Sequence, residues 1–379
     1  MQNRTAAALS ARTSVAVPER RLTMVPLEAH EPFALRIDRK SRASAEGLAQ
    51  WRRLAAEAPP MLTPEFILLT ARLLRETEVV LFGAHRGGTL TAALPMARRG
   101  RTLVSVHGGH TPRMDMVGDP ASVPALWRAL REAGGWDVLE LRGVPADSPL
   151  SLLLPKLARE AGCRVHVHET ARPPWFLVDG IEQRIHRRFR GDMRRLERQL
   201  GGVELERVAV FDRRALDEVL HLEAAAWKGA AGTAIACDRR LAAFYAALAR
   251  IFARRGTLTM AFLRARGTRI AAQFALEDAT TFHLMKVGYD PEYAHFGPGQ
   301  ILVRETAADA ARRGLRRYDM LGKDTAWKMK WTSEVRSHVQ MTIYAPSAGG
   351  RVHHFVREVA RPAAGRALRR VRGNRTQPS

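Results

Sequence analysis

The sequence predicts an α/β protein built from two tandem copies of one unit, each a mixed, mostly antiparallel sheet flanked by helices. A gapless internal repeat is the first observation: Gly88-Thr89-Leu90-Thr91-Ala92-Ala93 returns as Gly267-Thr268-Arg269-Ile270-Ala271-Ala272. At the same offset Gly109-His110-Thr111-Pro112 falls on Gly288-Tyr289-Asp290-Pro291, Gly118-Asp119-Pro120 on Gly297-Pro298-Gly299, Gly135 on Gly314 and Gly143 on Gly322. A period this long is that of a domain, not of a solenoid repeat of roughly 20 to 50 residues. The second observation is composition: 379 residues, 46% hydrophobic and 26% charged, suffice for two packed cores. The third is the order of elements within the clearer, C-terminal copy.

That copy opens with two helices. Residues 214–228 place Leu216, Val219, Leu220, Leu222 and Ala226 at helical spacing, and 238–255 do the same with Leu241, Phe244, Tyr245, Leu248, Ile251 and Phe252. Leu258–Leu263, Ile270–Glu277 and Phe282–Val287 read as three strands, and turns as short as Arg266-Gly267-Thr268 make them an antiparallel meander. A loop then runs from Gly288-Tyr289-Asp290-Pro291 to Gly297-Pro298-Gly299. A helix follows over about 300–313 with Gly314 as its stop, and Leu315–Leu321 returns as a strand. Strand, loop, helix and strand make a βαβ crossover.

Domain boundaries follow from this order: an N-terminal segment 1–29, a first unit 30–180, a basic connector 181–202, a second unit 203–346 and a basic tail 347–379. In the connector, Arg184, Arg187, Arg188, Arg190, Arg194, Arg195 and Arg198 surround a spine of Ile185, Phe189, Met193, Leu196 and Leu200, which should dock on the protein. The outward arginines are either a solvated face or a grip for RNA or anionic lipid. The net charge of +23 comes almost wholly from arginine, since there are only seven lysines. Nucleic acid, an anionic membrane face and a phosphate-rich co-substrate all fit such a field. The tail, with Arg369-Arg370, is placed to touch an inner membrane surface. No apolar run approaches the roughly 18 residues of a membrane span, and the N-terminus lacks the apolar core of a signal peptide, which points to a cytoplasmic protein. Cys163 and Cys237 have no CxxC or Cys/His spacing, so neither a disulfide framework nor a metal site is expected, and both read as buried small hydrophobes.

The motifs Trp227-Lys228-Gly229, Ile270-Ala271-Ala272-Gln273, Gly288-Tyr289-Asp290-Pro291, Gly297-Pro298-Gly299 and Tyr318-Asp319 through Lys328 to Trp331 occur in order across the second copy. On these residues it resembles the acetyltransferase domain of the CelD/BioF-type polysaccharide proteins. That domain is of the GNAT (N-acetyltransferase) superfamily and is related in fold to the FemAB peptidoglycan aminoacyl transferases. The resemblance covers about 211–331; the first copy, about 31–179, follows through its likeness to the second. It implies two GNAT-like, acyl-CoA N-acyltransferase units in a FemAB-like tandem.

A helix N-terminus binds pyrophosphate through its exposed N–H groups and dipole. Gly297, Pro298, Gly299 and Gln300 therefore form the expected acyl-CoA site, with Arg304 one turn in. The usual Gln/Arg-x-x-Gly-x-Gly/Ala signature survives only as its final Gly-x-Gly. In the first copy Gly118-Asp119-Pro120 puts an aspartate where phosphate would sit, so that unit is expected to be inactive as a cofactor site. The resemblance further implies that the backbone of Met285, Lys286 and Val287 supplies an oxyanion donor and pairs with the pantetheine arm. Asp319 and Glu223 are the candidate bases, each acting directly or through water, and His283 and Tyr289 the further candidates for base and acid. Trp227, Lys228, Gln273 and Lys328 are candidate acceptor-site residues, with core packing the rival role for the tryptophans of these motifs. Three functions compete: an acetyl-CoA- or other acyl-CoA-dependent N-acyltransferase acting on an amino sugar or envelope precursor, which the sequence favours; an aminoacyl-tRNA-dependent transferase; and a non-catalytic basic scaffold.

Overall fold

Short turns and alternating apolar residues produce two sheets, and the chain lends one strand from each half to the other. The computed structural model describes residues 31–37, 42–75, 77–225 and 235–361. The first sheet contains β1 (Glu31–Ile37), β2 (Val79–Arg86), β3 (Thr89–Arg99), β4 (Thr102–Ser105), β5 (Val117–Gly118), β6 (Val138–Pro145), β7 (Arg164–Ala171) and β14 (His338–Tyr344). Its order is β1-β2-β3-β4-β6-β14-β7, with β5 beside β3. The second contains β8 (Trp175–Leu177), β9 (Glu204–Val208), β10 (Leu258–Ala265), β11 (Thr268–Glu277), β12 (Thr281–Tyr289) and β13 (Arg317–Asp319), in the order β8-β13-β12-β11-β10-β9. Each sheet has one parallel pair, β4 with β6 and β12 with β13. The helices are α1 (Arg42–Leu54), α2 (Pro64–Leu69), α3 (Val123–Glu132), α4 (Pro149–Glu160), α5 (Ile181–Arg184), α6 (Arg187–Gln199), α7 (Arg213–Ala225), α8 (Arg239–Arg254), α9 (Pro298–Arg312) and α10 (Ala348–His354).

The repeat read from the glycines is carried by the backbone. Val104 faces Glu140 in the parallel pair of the first sheet, and their repeat counterparts His283 and Asp319 face each other in the second. Both copies also share a β-bulge: the register slips past Thr91 in β3 and past its counterpart Ile270 in β11. An extra unpaired residue bends and twists a strand, so two bulges at one repeat position are a feature of the unit itself.

The domain boundaries need correcting at two strands. β8 lies before the boundary at 180, yet it pairs with β13, Phe176 opposite Tyr318. β14 lies before the boundary at 346, yet it is inserted between β6 and β7. Where the two segments cross they pair with each other: the Trp175 N–H donates to the Glu334 carbonyl (3.1 Å) and the Arg336 N–H to the Pro173 carbonyl (2.9 Å). Alternation assigns a strand's buried face but not its neighbour, so neither exchange is visible in the sequence pattern.

The first core gathers Trp51, Phe82, Leu94, Leu126 and Leu141 with Met341 and Ile343 of β14. In the second half, α7 and α8 cover one sheet face through Leu216, Phe244, Tyr245 and Phe252, joined by Met61 and Phe66 from the first half. The other face, under α9, holds Phe282, Val303 and Tyr318 together with Phe176 of β8. The connector docks as its apolar spacing requires, burying Ile185 and Met193 against this same cluster. Cys163 is buried, but Cys237 is exposed in a short turn before α8, contrary to its reading as a buried small hydrophobe. No helix among the described residues is long and apolar enough to cross a membrane.

Candidate active site

The site is an opening in the second sheet. β12 pairs with β13 only from Thr281 to His283, opposite Arg317 to Asp319, and then runs on to Tyr289 paired with β11 alone. Within this second stretch the register to β11 slips across Met285, so one residue bulges at the point where the two parallel neighbours part. The expected trio of Met285, Lys286 and Val287 therefore lies where β12 bends away from β13.

Helix α9 starts beside this strand. Gly297 caps it in the left-handed conformation, φ 61°, and Pro298 occupies the first turn. A Cβ added at Gly297 would meet nothing within 4 Å, and one at Gly299 would rest 3.5 Å from the Tyr289 ring and 3.8 Å from Val287 Cγ2. The open helix start thus lies against the far half of β12, bringing Val287, Tyr289 and Gly297–Gln300 together. These residues fit a phosphate-bearing co-substrate: the start of a 15-residue helix is uncovered at Gly297 and its dipole favours an anion there. The counterpart in the first unit is closed. A Cβ at Gly118 would lie 2.1 Å from the Thr91 carbonyl oxygen, and Asp119 itself accepts the Ala121 N–H (2.9 Å).

Two residues assigned to the co-substrate are otherwise engaged. Arg304 is buried and donates to Glu197 of the connector and to Glu305, both at 2.7 Å. It clamps α9 to α6 and is not directed at a phosphate. The Gln300 side chain accepts the Trp331 indole N–H (2.6 Å), and its backbone N–H donates to the Gly297 carbonyl (2.9 Å), so both groups serve the local fold. Lys328 likewise does not reach into an acceptor site: its ammonium donates to the carbonyls of Met320 (2.9 Å) and Leu321. It thereby stabilises a turn in which Leu321 is held at φ 50°, a conformation that costs a non-glycine residue about 1 kcal/mol or more. Trp331 is buried on Phe176, its rings 5.8 Å apart, in the packing role weighed against acceptor binding. Trp227 and Lys228 lie outside the described residues.

The acid–base candidates separate into two groups. His283 is buried on β12 between two carboxylates, with Nε2 2.8 Å from Asp278 and Nδ1 3.7 Å from Asp319. Burial alone would depress its pKa, but the two carboxylates outweigh that and raise it above the usual imidazole range. For Asp319, burial favours the neutral acid; His283, the Leu321 N–H (2.9 Å) and the charge of Arg113 overcome this and hold the carboxyl below its usual range. Asp319 keeps about a fifth of its side chain accessible, whereas His283 keeps almost none. Asp319 is therefore the accessible member of this pair and His283 the enclosed one.

Glu223 forms the second group. It is buried, and its carboxylate accepts the Ile235 N–H (3.0 Å). A Cβ at Gly288 would lie 2.5 Å from the Glu223 backbone, so α7 packs onto β12 at the one position without a side chain. Beside it the Tyr245 hydroxyl, pushed up by burial and by the Glu223 charge, shares a 3.0 Å hydrogen bond with His110 of the first unit. Gln273 is fully buried and accepts from the Tyr318 hydroxyl (3.1 Å), with its amide nitrogen unpartnered among the described residues. It belongs to the sheet interior, under α9.

Sequence reasoning missed Arg113, His110 and His338, all from the first sheet's side, and Asp278 in a turn. His110 was legible, since it is the repeat counterpart of Tyr289. The half-buried Arg113 and the buried His338 were not, because they come near Asp319 only in the folded chain, His338 through the exchanged strand β14. Burial first and then the Arg113 charge lower the His338 imidazole to about 4. Among the described residues no group of His, Cys, Asp and Glu is placed to hold a metal ion.

This arrangement, a splayed parallel pair with a glycine-capped helix beside it, is the framework of a GNAT-type acyltransferase fold. Residues 183–329 match the family described as "Acetyltransferase (GNAT) domain", a match that takes in the connector helix. This segment is a GNAT-type domain, and the chain as a whole has the tandem, FemAB-like arrangement of two GNAT-like units. Among solved structures it is similar to FemX, with TM-score 0.57 and 10% identity over 85% of this chain and 99% of that one. It is also similar to a conserved protein of unknown function from Bacteroides thetaiotaomicron VPI-5482, with TM-score 0.51 and 13% identity over 80% and 97% of the two chains. At such identities the likeness is one of fold. No curated protein matches the sequence.

Proposed function

We propose that the protein transfers an acyl group from an acyl-CoA, acetyl-CoA in the first instance, to the amine of an amino sugar or related envelope precursor. The observation that carries this reading is the open, glycine-capped start of α9 lying against the half of β12 that has left β13. An acyl-CoA lying along β12 has its pyrophosphate at Gly297–Gln300 and its thioester near the Met285 bulge. The acceptor nitrogen attacks the thioester carbonyl, a C–N bond forms and the C–S bond breaks. The products are an amide and the CoA thiol. Asp319, kept ionised, orients the incoming ammonium and relays its first proton through water to solvent; the phenol of Tyr289 protonates the departing thiolate and is restored by the second proton that the nitrogen sheds as the amide forms. The backbone around Met285 faces the developing oxyanion. Asp319 and Tyr289 are thus the proposed catalytic residues, with His283 and Glu223 as positioning residues.

One observation supports the aminoacyl-tRNA alternative: the connector leaves Arg184, Arg187, Arg188, Arg194, Arg195 and Arg198 exposed along one stretch of surface. The two readings separate in a direct comparison. The purified protein is incubated with labelled acetyl-CoA and a panel of amino sugars, and in parallel its binding to bulk tRNA is followed by gel shift. Transfer of label to an amine, at a rate unaffected by tRNA, supports the proposal. A stable, salt-sensitive tRNA complex without any acetyl-CoA turnover overturns it in favour of the alternative.

A further inference from the structure

The last described helix is amphipathic in the inverted sense. It begins with Ser347, which caps the Gly350 N–H (3.0 Å) and donates to Asp137 (2.7 Å), and it continues through α10 into a wider turn, Phe355–Ala360. Three of its polar side chains point at the protein, while Arg351 and His353 are exposed. His354 meets His166 at 3.1 Å, Arg357 donates to Glu140 at 2.9 Å, and Glu358 accepts the Tyr344 hydroxyl at 2.6 Å. The apolar ones point away: Val352, Phe355, Val356 and Val359 are between 40% and 62% exposed. Their spacing of three and four residues puts them in one stripe. No other segment of the described chain exposes four large apolar side chains within eight residues.

We infer that this stripe inserts into the interfacial layer of an anionic lipid bilayer. The charge around it selects that occupant. Arg351 and Arg361 are exposed at the two ends of the stripe, and the sequence beyond adds Arg366, Arg369, Arg370, Arg372 and Arg375 with no acidic residue. Apolar residues on a helix bounded by arginines are the composition that lies in a headgroup layer, with the cations adding attraction to acidic lipids. A second copy of this chain is a poorer occupant, because each copy brings a net charge of +23 and the same arginines to the contact. The inference is independent of the proposed acyl transfer and survives its failure.

The test uses the full chain and sedimentation with phosphatidylcholine vesicles, either pure or containing about a third phosphatidylglycerol. The protein is expected to pellet with the anionic vesicles and to bind pure phosphatidylcholine at least about tenfold more weakly. A double variant, Phe355→Ser with Val359→Ser, should reduce partition onto anionic vesicles about tenfold. Both side chains are exposed, so its thermal melting should match the wild type. Undiminished partition by the variant would overturn insertion of the stripe. So would a concentration-dependent dimer in vesicle-free solution that the same variant disperses, which would assign the face to a second copy.

Discussion

Gly288→Ala tests how the site is held in place. The glycine is in β12 with ordinary extended backbone, so alanine meets no conformational penalty there; only space is at issue. The added methyl would lie 2.5 Å from the backbone nitrogen and Cα of Glu223 and 2.5 Å from the Leu222 carbonyl oxygen. These are atoms of α7's main chain, which cannot rotate aside as a side-chain tip would. Helix α7 must therefore move off the sheet by most of an ångström, loosening Leu216, Val219 and Leu222 in the core beneath it. Overpacking of this kind costs about 1–3 kcal/mol, against which the lower chain entropy of alanine returns about 0.4–1 kcal/mol. Gly299→Ala is the control. Its methyl meets only ordinary contacts, 3.5 Å from Tyr289 and 3.8 Å from Val287, and it replaces glycine in a helix. That substitution should be neutral or stabilising by up to about 1 kcal/mol. Urea denaturation of the two variants beside the wild type reads the difference, with unchanged m-values confirming a change in stability alone. Equal midpoints for the two alanine variants would refute the packing of α7 on Gly288.

Asp319→Asn keeps the shape and the Leu321 hydrogen bond but removes the charge at the opening; kcat should fall about 100-fold with KM for acyl-CoA little altered. A fall of less than about threefold in steady-state assays would exclude the carboxylate from catalysis. His338 provides a pH prediction. The fold holds it neutral down to about 4, while an unfolded imidazole takes a proton near its ordinary value of about 6.5. Stability is therefore lost as pH falls through this window, by about 2–3 kcal/mol between pH 7 and 4.5, and His338→Gln should lose correspondingly less in denaturant titrations at those two pH values. His283 has the opposite sign: its pKa is raised, so its contribution is present below about 6.5 and fades as pH rises through the elevated folded value. Arg304→Met should lower stability by about 1–3 kcal/mol by undoing the clamp between α9 and Glu197, yet leave acyl-CoA affinity within about threefold. A tenfold loss in calorimetric affinity would return Arg304 to the phosphate site.

What was legible in the sequence is what depends on neighbours along the chain. The meander expected over Leu258–Leu263, Ile270–Glu277 and Phe282–Val287 is β10 to β12, because turns such as Arg266-Gly267 fix strand order locally. The start of α9 was legible for the same reason: Gly297-Pro298-Gly299 specifies a left-handed cap followed by a first-turn proline. The exchange of β8 and β14 was not, since three residues such as Trp175–Leu177 carry no signal for a partner well over a hundred residues away. Long side chains were the other blind spot. Whether Lys328 enters solvent or caps carbonyls depends on the left-handed turn at Leu321, and whether Arg304 meets phosphate or Glu197 depends on where the connector docks. The burial of Glu223, a candidate base on a helix in the sequence, follows from the missing side chain at Gly288. The first unit's contribution near Asp319, Arg113 and His338, arises only from tertiary packing.

The central claim, that the start of α9 binds the pyrophosphate of an acyl-CoA, is tested most directly by calorimetric titration of the protein with CoA and acetyl-CoA beside a Gly299→Glu variant. The glutamate stem fits, because the Cβ position is 3.5 Å from its nearest neighbour, but its carboxylate stands where an anion would bind. Binding by the wild type is expected, with a loss of at least about tenfold in the variant at unchanged thermal stability. Equal affinity in the two proteins, or no binding by either, would contradict it.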